Sequence, residues 1–157
     1  MGKLKKVFGI VSGVLGIVAA MMFMFLPMIN IEGSKDTYTG LQVMFGYSES
    51  AYGISVETFK FSFMALLVAI LFILGGLIAL TNIKKGNKAT AFVAGVILVA
   101  ASVMSFMANL FVVPSTLLQA TINAGLVKFA LAVGPIVAAI MGIVAGGMSV
   151  VSAILKD

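Results

Sequence analysis

Four long apolar runs constrain this chain more than any motif in it. Val7–Ile29 runs for 23 residues without a charge, and Phe59–Thr81, Ala89–Val113 and Phe129–Leu155 repeat the pattern with only Lys60 near an edge and Lys84 and its neighbours in the gaps. A helix needs about 20 predominantly apolar residues to cross a bilayer. The chain is 62% hydrophobic with a mean hydropathy of +1.22, against about 45–50% apolar residues in soluble domains. The expected fold is an all-α membrane protein: one integral domain, residues 1–157, forming a four-transmembrane-helix bundle. Spans at about 7–29, 59–81, 89–113 and 129–155 would be joined by outer loops at 30–58 and 114–128 and an inner turn at 82–88.

The lysines orient this plan. Lys3, Lys5, Lys6, Lys84, Lys85, Lys88 and Lys156 fall on one side, and Lys35, Lys60 and Lys128 on the other. Basic residues in short loops collect on the cytoplasmic side, so both termini and the 82–88 turn are expected there, in a multi-pass protein of the plasma membrane. A signal peptide also begins with a basic stretch, but its apolar region is about 7–15 residues and ends at a small-residue cleavage site. Here Ala19-Ala20 is followed by more apolar sequence, which predicts a retained span. All ten basic residues are lysine, a bias that suggests an A/T-rich bacterial genome. Their position beside the spans gives no sign of nucleic-acid binding.

The remaining chemistry gathers in one loop. Asn30–Glu57 holds Glu32, Asp36, Glu49 and Glu57, four of the five acidic residues, and all three tyrosines. Thr37–Phe45 alternates: Thr37, Thr39, Leu41, Val43 and Phe45 share one side, and Tyr38, Gly40, Gln42 and Met44 the other. A period of two with β-branched and aromatic residues predicts a strand. With a turn over Gly46–Gly53 and a return at Ile54–Glu57, it makes a small extracellular β-hairpin between the first two spans. Its Thr39, Leu41, Val43 and Phe45 side would pack on helix ends. Tyr38, Gln42, Tyr47, Glu49 and Tyr52 would then form a partner-binding surface, since tyrosine is enriched at interfaces. Tyrosine also belongs at membrane–water boundaries for its own physical reasons.

Small residues recur along the spans: Gly9 and Gly13, then Ser12, Gly16 and Ala20 in the first; Gly95 in the third; Ala138, Gly142, Gly146, Ser149 and Ala153 in the last. Four-residue spacing of small side chains lets helix backbones approach closely. Gly13, Gly16, Gly95, Gly142 and Gly146 are thus helix-packing candidates. Gly142-x-x-x-Gly146 suits a dimerisation face of a homo-oligomer or packing inside the same bundle. Ser102, Ser105 and Asn109 continue the Gly95 face as a weakly polar stripe, a possible lining for a solute path or a set of interhelical hydrogen bonds. Met24-x-x-x-Met28 resembles thioether pairs that bind Cu(I), but no cysteine or histidine completes a site, and methionine is an ordinary gap filler. No metal or cofactor is expected.

With no cysteine or histidine, thiolate chemistry and the commonest general base are missing. Apart from Lys60 at the edge of the second, the spans lack the ionisable residues on which proton relays and ion-coupled carriers depend. No catalytic residues are assigned. The expected function is a non-enzymatic structural, interaction or accessory subunit, embedded in the lipid bilayer and presenting its outer loop to another membrane protein or an envelope component. The alternative is a small oligomeric channel or carrier for a solute.

The order of long outer loop, short basic inner turn and shorter outer loop, with both ends inside, resembles the claudin and peripheral-myelin-protein family. That family's first outer loop carries a Trp followed by Gly-Leu-Trp and two cysteines. Here Gly40-Leu41 matches, and the chain has neither tryptophan nor cysteine. The resemblance implies a left-handed four-helix bundle whose outer sheet makes contacts between proteins. The chain also resembles the small four-span membrane proteins of low-GC bacteria.

Overall fold

The computed structural model describes residues 3–31, 37–51, 53–125 and 129–155, with the backbone alone at some positions, among them Glu49, Glu57 and Asn109. Four long helices dominate: α1 (Lys3–Phe25), α3 (Phe63–Lys85), α4 (Lys88–Phe106) and α6 (Val133–Ile154). Each is long and apolar enough to cross a membrane. At about 1.5 Å per residue they run roughly 28–35 Å. They form a closed ring in which α1 packs on α3, α3 on α4, α4 on α6 and α6 on α1. The described chain ends and the α3–α4 turn lie at one end of the bundle (the turn end), and every other connection lies at the opposite one (the loop end).

Side-chain size is sorted across this ring. Ala19, Ala20, Ala94, Ala101, Ala138, Ala139 and Ala145 are buried, with Phe23, Phe72 and Leu98 as the large fillers. Phe23 and Phe72 tilt against each other at 6.3 Å. Exposed positions are large and apolar on all four helices, including Ile10 and Val14, Leu74 and Leu77, Val96 and Val103, and Ile140 and Val144. A bundle that puts small residues inside and large aliphatic ones outside is arranged as helices in lipid are, where close backbone approach replaces the hydrophobic effect as the packing force.

The short turn is closed by an amide clamp. Gly86 takes a left-handed conformation (φ 64°) and donates its N–H to the Asn82 carbonyl at the end of α3. Asn82 is buried; its Nδ2 donates to the Asn87 carbonyl and its Oδ1 accepts from the Asn87 N–H, both at 2.9 Å. Asn87 Oδ1 then accepts from Ala89 N–H and caps α4. Six residues thus end one helix and start the next, which fixes α3 and α4 as antiparallel neighbours.

At the loop end the two long connections fold together. From α1 the chain makes β1 (Pro27–Ile31), β2 (Thr37–Thr39), α2 (Gly40–Phe45), β3 (Tyr47–Ala51) and β4 (Ile54–Phe59). From α4 it makes a 3-10 turn at Ala108–Leu110, then α5 (Thr116–Asn123) and β5 (Phe129–Leu131). β1 is the centre of an antiparallel sheet ordered β2-β1-β5, with Ile29 opposite Tyr38 on one side and Leu131 on the other. β3 and β4 form a separate hairpin. Its second strand is tied to the other connection, since Lys60 N–H donates to the Val113 carbonyl and Ser115 N–H to the Thr58 carbonyl.

All four long helices start or stop at different residues from the expected spans; the last begins at Val133, because Phe129–Leu131 is taken up as β5. α1 ends at Phe25, and Pro27, with no N–H to continue a helix, opens β1 instead. α3 begins at Phe63, after Phe59 has ended β4. α4 ends at Phe106, well short of Val113. Residues 107–113 are apolar apart from Asn109 and read as span by hydropathy, but Val113 directly precedes Pro114, which disfavours helix there, and its carbonyl accepts from the Lys60 N–H.

The expected strand over Thr37–Phe45 is corrected. Only Thr37–Thr39 is strand; Gly40–Phe45 is helix, and the hairpin lies one element later, at Tyr47–Ala51 and Ile54–Phe59. Thr39 and Gln42 form a capping box: Thr39 Oγ1 accepts from Gln42 N–H and Gln42 Oε1 accepts from Thr39 N–H. Two orphan donors of the helix start are thereby satisfied. A side chain at Gly40 would run into the Phe23 carbonyl, so glycine lets α2 sit directly on the end of α1.

Candidate interaction surface

The loop end has its own aromatic core. Tyr38 meets Phe59 edge-on at 4.7 Å and Tyr47 at 5.9 Å, and Phe59 meets Phe129 at 5.9 Å. Met28, Ile29, Val43 and Met44 are fully buried around them. Aromatic pairs in such tilted geometries add to the stabilisation from burial alone. Strands and helix from both connections are therefore one packed cap rather than two tethers.

This core changes the expected presented surface. Tyr38 is only 6% exposed, so it is a core residue and not an outward recognition residue; the helix that replaces the strand turns the chain, and Tyr38 falls between β1 and Phe59. Gln42 is committed to capping α2. Phe45, expected to pack inward, is 57% exposed. Val43 is buried as expected, but from a helix face. Tyr47 is half-buried at the edge of the core, with Ser48 exposed beside it. The Glu49 side chain and Tyr52 lie outside the described residues.

Sequence reasoning missed a groove at the base of the hairpin. It is open, about 480 Å³, and lined by Phe45, Gly46, Tyr47, Ser48, Phe59, Lys60 and Phe61. Gly46 has φ 91°, and a β-carbon there would press on the Phe59 carbonyl at 3.0 Å. The glycine lets α2 turn into β3 close against β4. Phe45 and Phe61 face each other across the groove at 6.4 Å, and both are more than half exposed. The legible signal was Phe-Gly-Tyr in a loop followed by Phe-Lys-Phe at a span edge: two aromatic pairs, one around a glycine and one around a cation.

Within the bundle, the packing glycines meet neighbouring helices of the same chain. Gly13 lies against Gly76 and Leu80 of α3, and Gly16 against Gly76 and Leu98. Gly95 and Gly146 lie against each other, and Gly142 against Ser102 and Phe72. The hydroxyls are engaged as well. Ser12 donates to the Ala145 carbonyl, Ser105 to that of Pro135 and Ser149 to that of Ala91, each at 2.7 Å between helices. Ser102 returns to the Leu98 carbonyl of its own helix at 2.8 Å. The side chain of Asn109 is outside the described residues, and its backbone lies in the 3-10 turn beyond α4.

The turn end holds one surprise. Lys5, one of the lysines expected on the cytoplasmic side, is 3% exposed, beside a small void bordered by Asn82, Ser149 and Ser152. Ser152 donates to the Lys5 carbonyl. This void is water-sized, about 10 Å³.

No family model, curated protein or solved structure matches the chain. The claudin-like arrangement expected from the loop order thus has no support from these comparisons, and no contact function is carried over from it.

Proposed function

We propose that this chain is a non-enzymatic membrane protein that presents its loop-end cap to a partner protein or an envelope component. The observation that carries the reading is the cap itself. Joining four helices takes only short turns, as the Gly86–Asn87 connection shows. Yet the loop end spends five strands, a capped helix and an aromatic core on one folded unit. The support no longer comes from a strand over Thr37–Phe45. It comes from the pairing of β1 with β5 and from a rim on which Phe45, Ser48 and Phe61 are exposed and Tyr47 is half-buried. Engagement of Ser102 and Ser105 by carbonyls favours this reading over a solute path.

Four apolar helices with large aliphatic residues outward support insertion in a bilayer, and the lysine split supports a plasma-membrane protein with cytoplasmic termini and an external cap. Affinity purification of the tagged chain from its native membrane, read by mass spectrometry, tests the function. A specific partner should be recovered with the native chain and lost with Tyr47→Ala while the variant stays folded. Recovery of the same proteins by Tyr47→Ala and by the cap-disrupting Val43→Asp would reject it.

A further inference from the structure

We propose that the groove at the base of the hairpin binds the headgroup of an anionic phospholipid, with Lys60 as its cation. The proposal rests on the bilayer reading but not on which way the cap faces. Among the described residues that line the groove, Lys60 is the one that carries a charge, and its side chain is exposed. Lysine beside aromatic rings is suited to the headgroup level of a membrane, where the ring bodies sit among apolar chains and the ammonium meets phosphate.

Placement supplies the second argument. Lys60 lies three residues before the first residue of α3. Along α3 from there, Phe63, Ile70, Leu74 and Leu77 are exposed at helical spacing, an apolar strip of the kind acyl chains cover. A phospholipid lying on that strip brings its phosphate to the height of the groove. The Phe45 and Phe61 rings wall the site, and Ser48 and Tyr47 offer hydroxyl groups on its lining. The start of α3 adds the positive end of a helix dipole on the same side. The volume of about 480 Å³ lies within the roughly 300–1,000 Å³ typical of small-molecule sites, and the open shape suits a ligand whose tails remain outside.

The test uses the full chain purified in mild detergent and offered phosphatidylglycerol and phosphatidylcholine of matched acyl chains, with bound lipid counted by native mass spectrometry. The native protein should retain phosphatidylglycerol in about fivefold preference, the size expected of one lysine near an anionic headgroup. Lys60→Gln should bring the two lipids to parity with unchanged thermal stability, and Lys60→Arg should keep the preference. Lys84→Gln, at the opposite end, should leave it intact. Equal retention by the native protein, or a preference that survives Lys60→Gln, would overturn the proposal and leave the groove to a protein ligand or to bulk lipid. Alkaline extraction of the native membrane separates the two readings. A chain released by it was never embedded, whereas an embedded chain without the preference refutes the lipid site alone.

Discussion

Gly95 of α4 and Gly146 of α6 meet backbone to backbone: a β-carbon on Gly95 would lie 2.8 Å from the Gly146 carbonyl oxygen, and one on Gly146 would lie 2.9 Å from that of Gly95. Neither helix can keep this approach if either residue gains a side chain, because the obstacle is backbone and not a rotatable group. Gly146→Ala should therefore lower the thermal stability in detergent by an overpacking cost of about 1–3 kcal/mol. Gly147 has nothing within 4 Å of the same added carbon, so Gly147→Ala should leave the melting temperature unchanged or slightly raised, as alanine is the better helix former. Equal effects at the two positions would contradict this crossing.

The serine hydroxyls offer a finer comparison. Ser12 and Ser105 donate to carbonyls on α6, whereas Ser102 donates within its own helix. Replacing Ser12 or Ser105 with Ala should cost about 0.6–2 kcal/mol each, the range for interhelical bonds in membrane proteins. Ser102→Ala should cost less, since no hydrogen bond between helices is lost. Reversible unfolding in mixed micelles would rank the three.

In the cap, the prediction turns on which tyrosine is structural. Tyr38→Ala removes a buried ring and should destabilise the cap by about 3–5 kcal/mol, the range for large aromatic truncations. Tyr47→Ala should cost clearly less. Thr39→Ala, which deletes the α2 cap, should cost about 0.5–2 kcal/mol. Limited proteolysis within residues 37–59 reports all three, and equal protection of Tyr38→Ala and the native chain would contradict the aromatic core.

Orientation is checked with cysteines introduced into this cysteine-free sequence. Ser48→Cys, on the exposed rim of the groove, should react with an impermeant thiol reagent added to intact cells. Ala89→Cys, exposed beside the α3–α4 turn, should react only after the membrane is opened. Asn87 is unsuitable for this purpose because its side-chain Oδ1 caps α4 by accepting from the Ala89 N–H. The opposite labelling pattern would invert the proposed topology.

The turn also makes a prediction of its own. Asn82→Ala removes both side-chain hydrogen bonds to the Asn87 backbone and leaves the Asn87 N–H and C=O without these partners. At about 0.5–1.5 kcal/mol for each hydrogen bond, thermal stability should fall by an amount that Thr81→Ala, an exposed neighbour, does not reproduce.

The sequence by itself determined the four helices, their order and the small residues along them, because length, hydropathy and four-residue spacing are local properties and lipid leaves a long apolar run little choice but helix. It also carried a signal that alternation concealed. Thr39-x-x-Gln42 is a capping box, and it competes with the period-two pattern of Thr37–Phe45; the contact of Gly40 with the end of α1 decides between them. Only the tertiary structure decided where the long helices stop. Residues 107–113 are apolar enough for membrane, yet Val113 is held by Lys60 from the other connection. The same holds for the burial of Tyr38 and of Lys5, and for the pairing of Ile29 with Leu131. Each depends on partners tens of residues away or more. Hydropathy and periodicity report only the neighbours along the chain, so they cannot say which tyrosine finds a core and which is left at its rim.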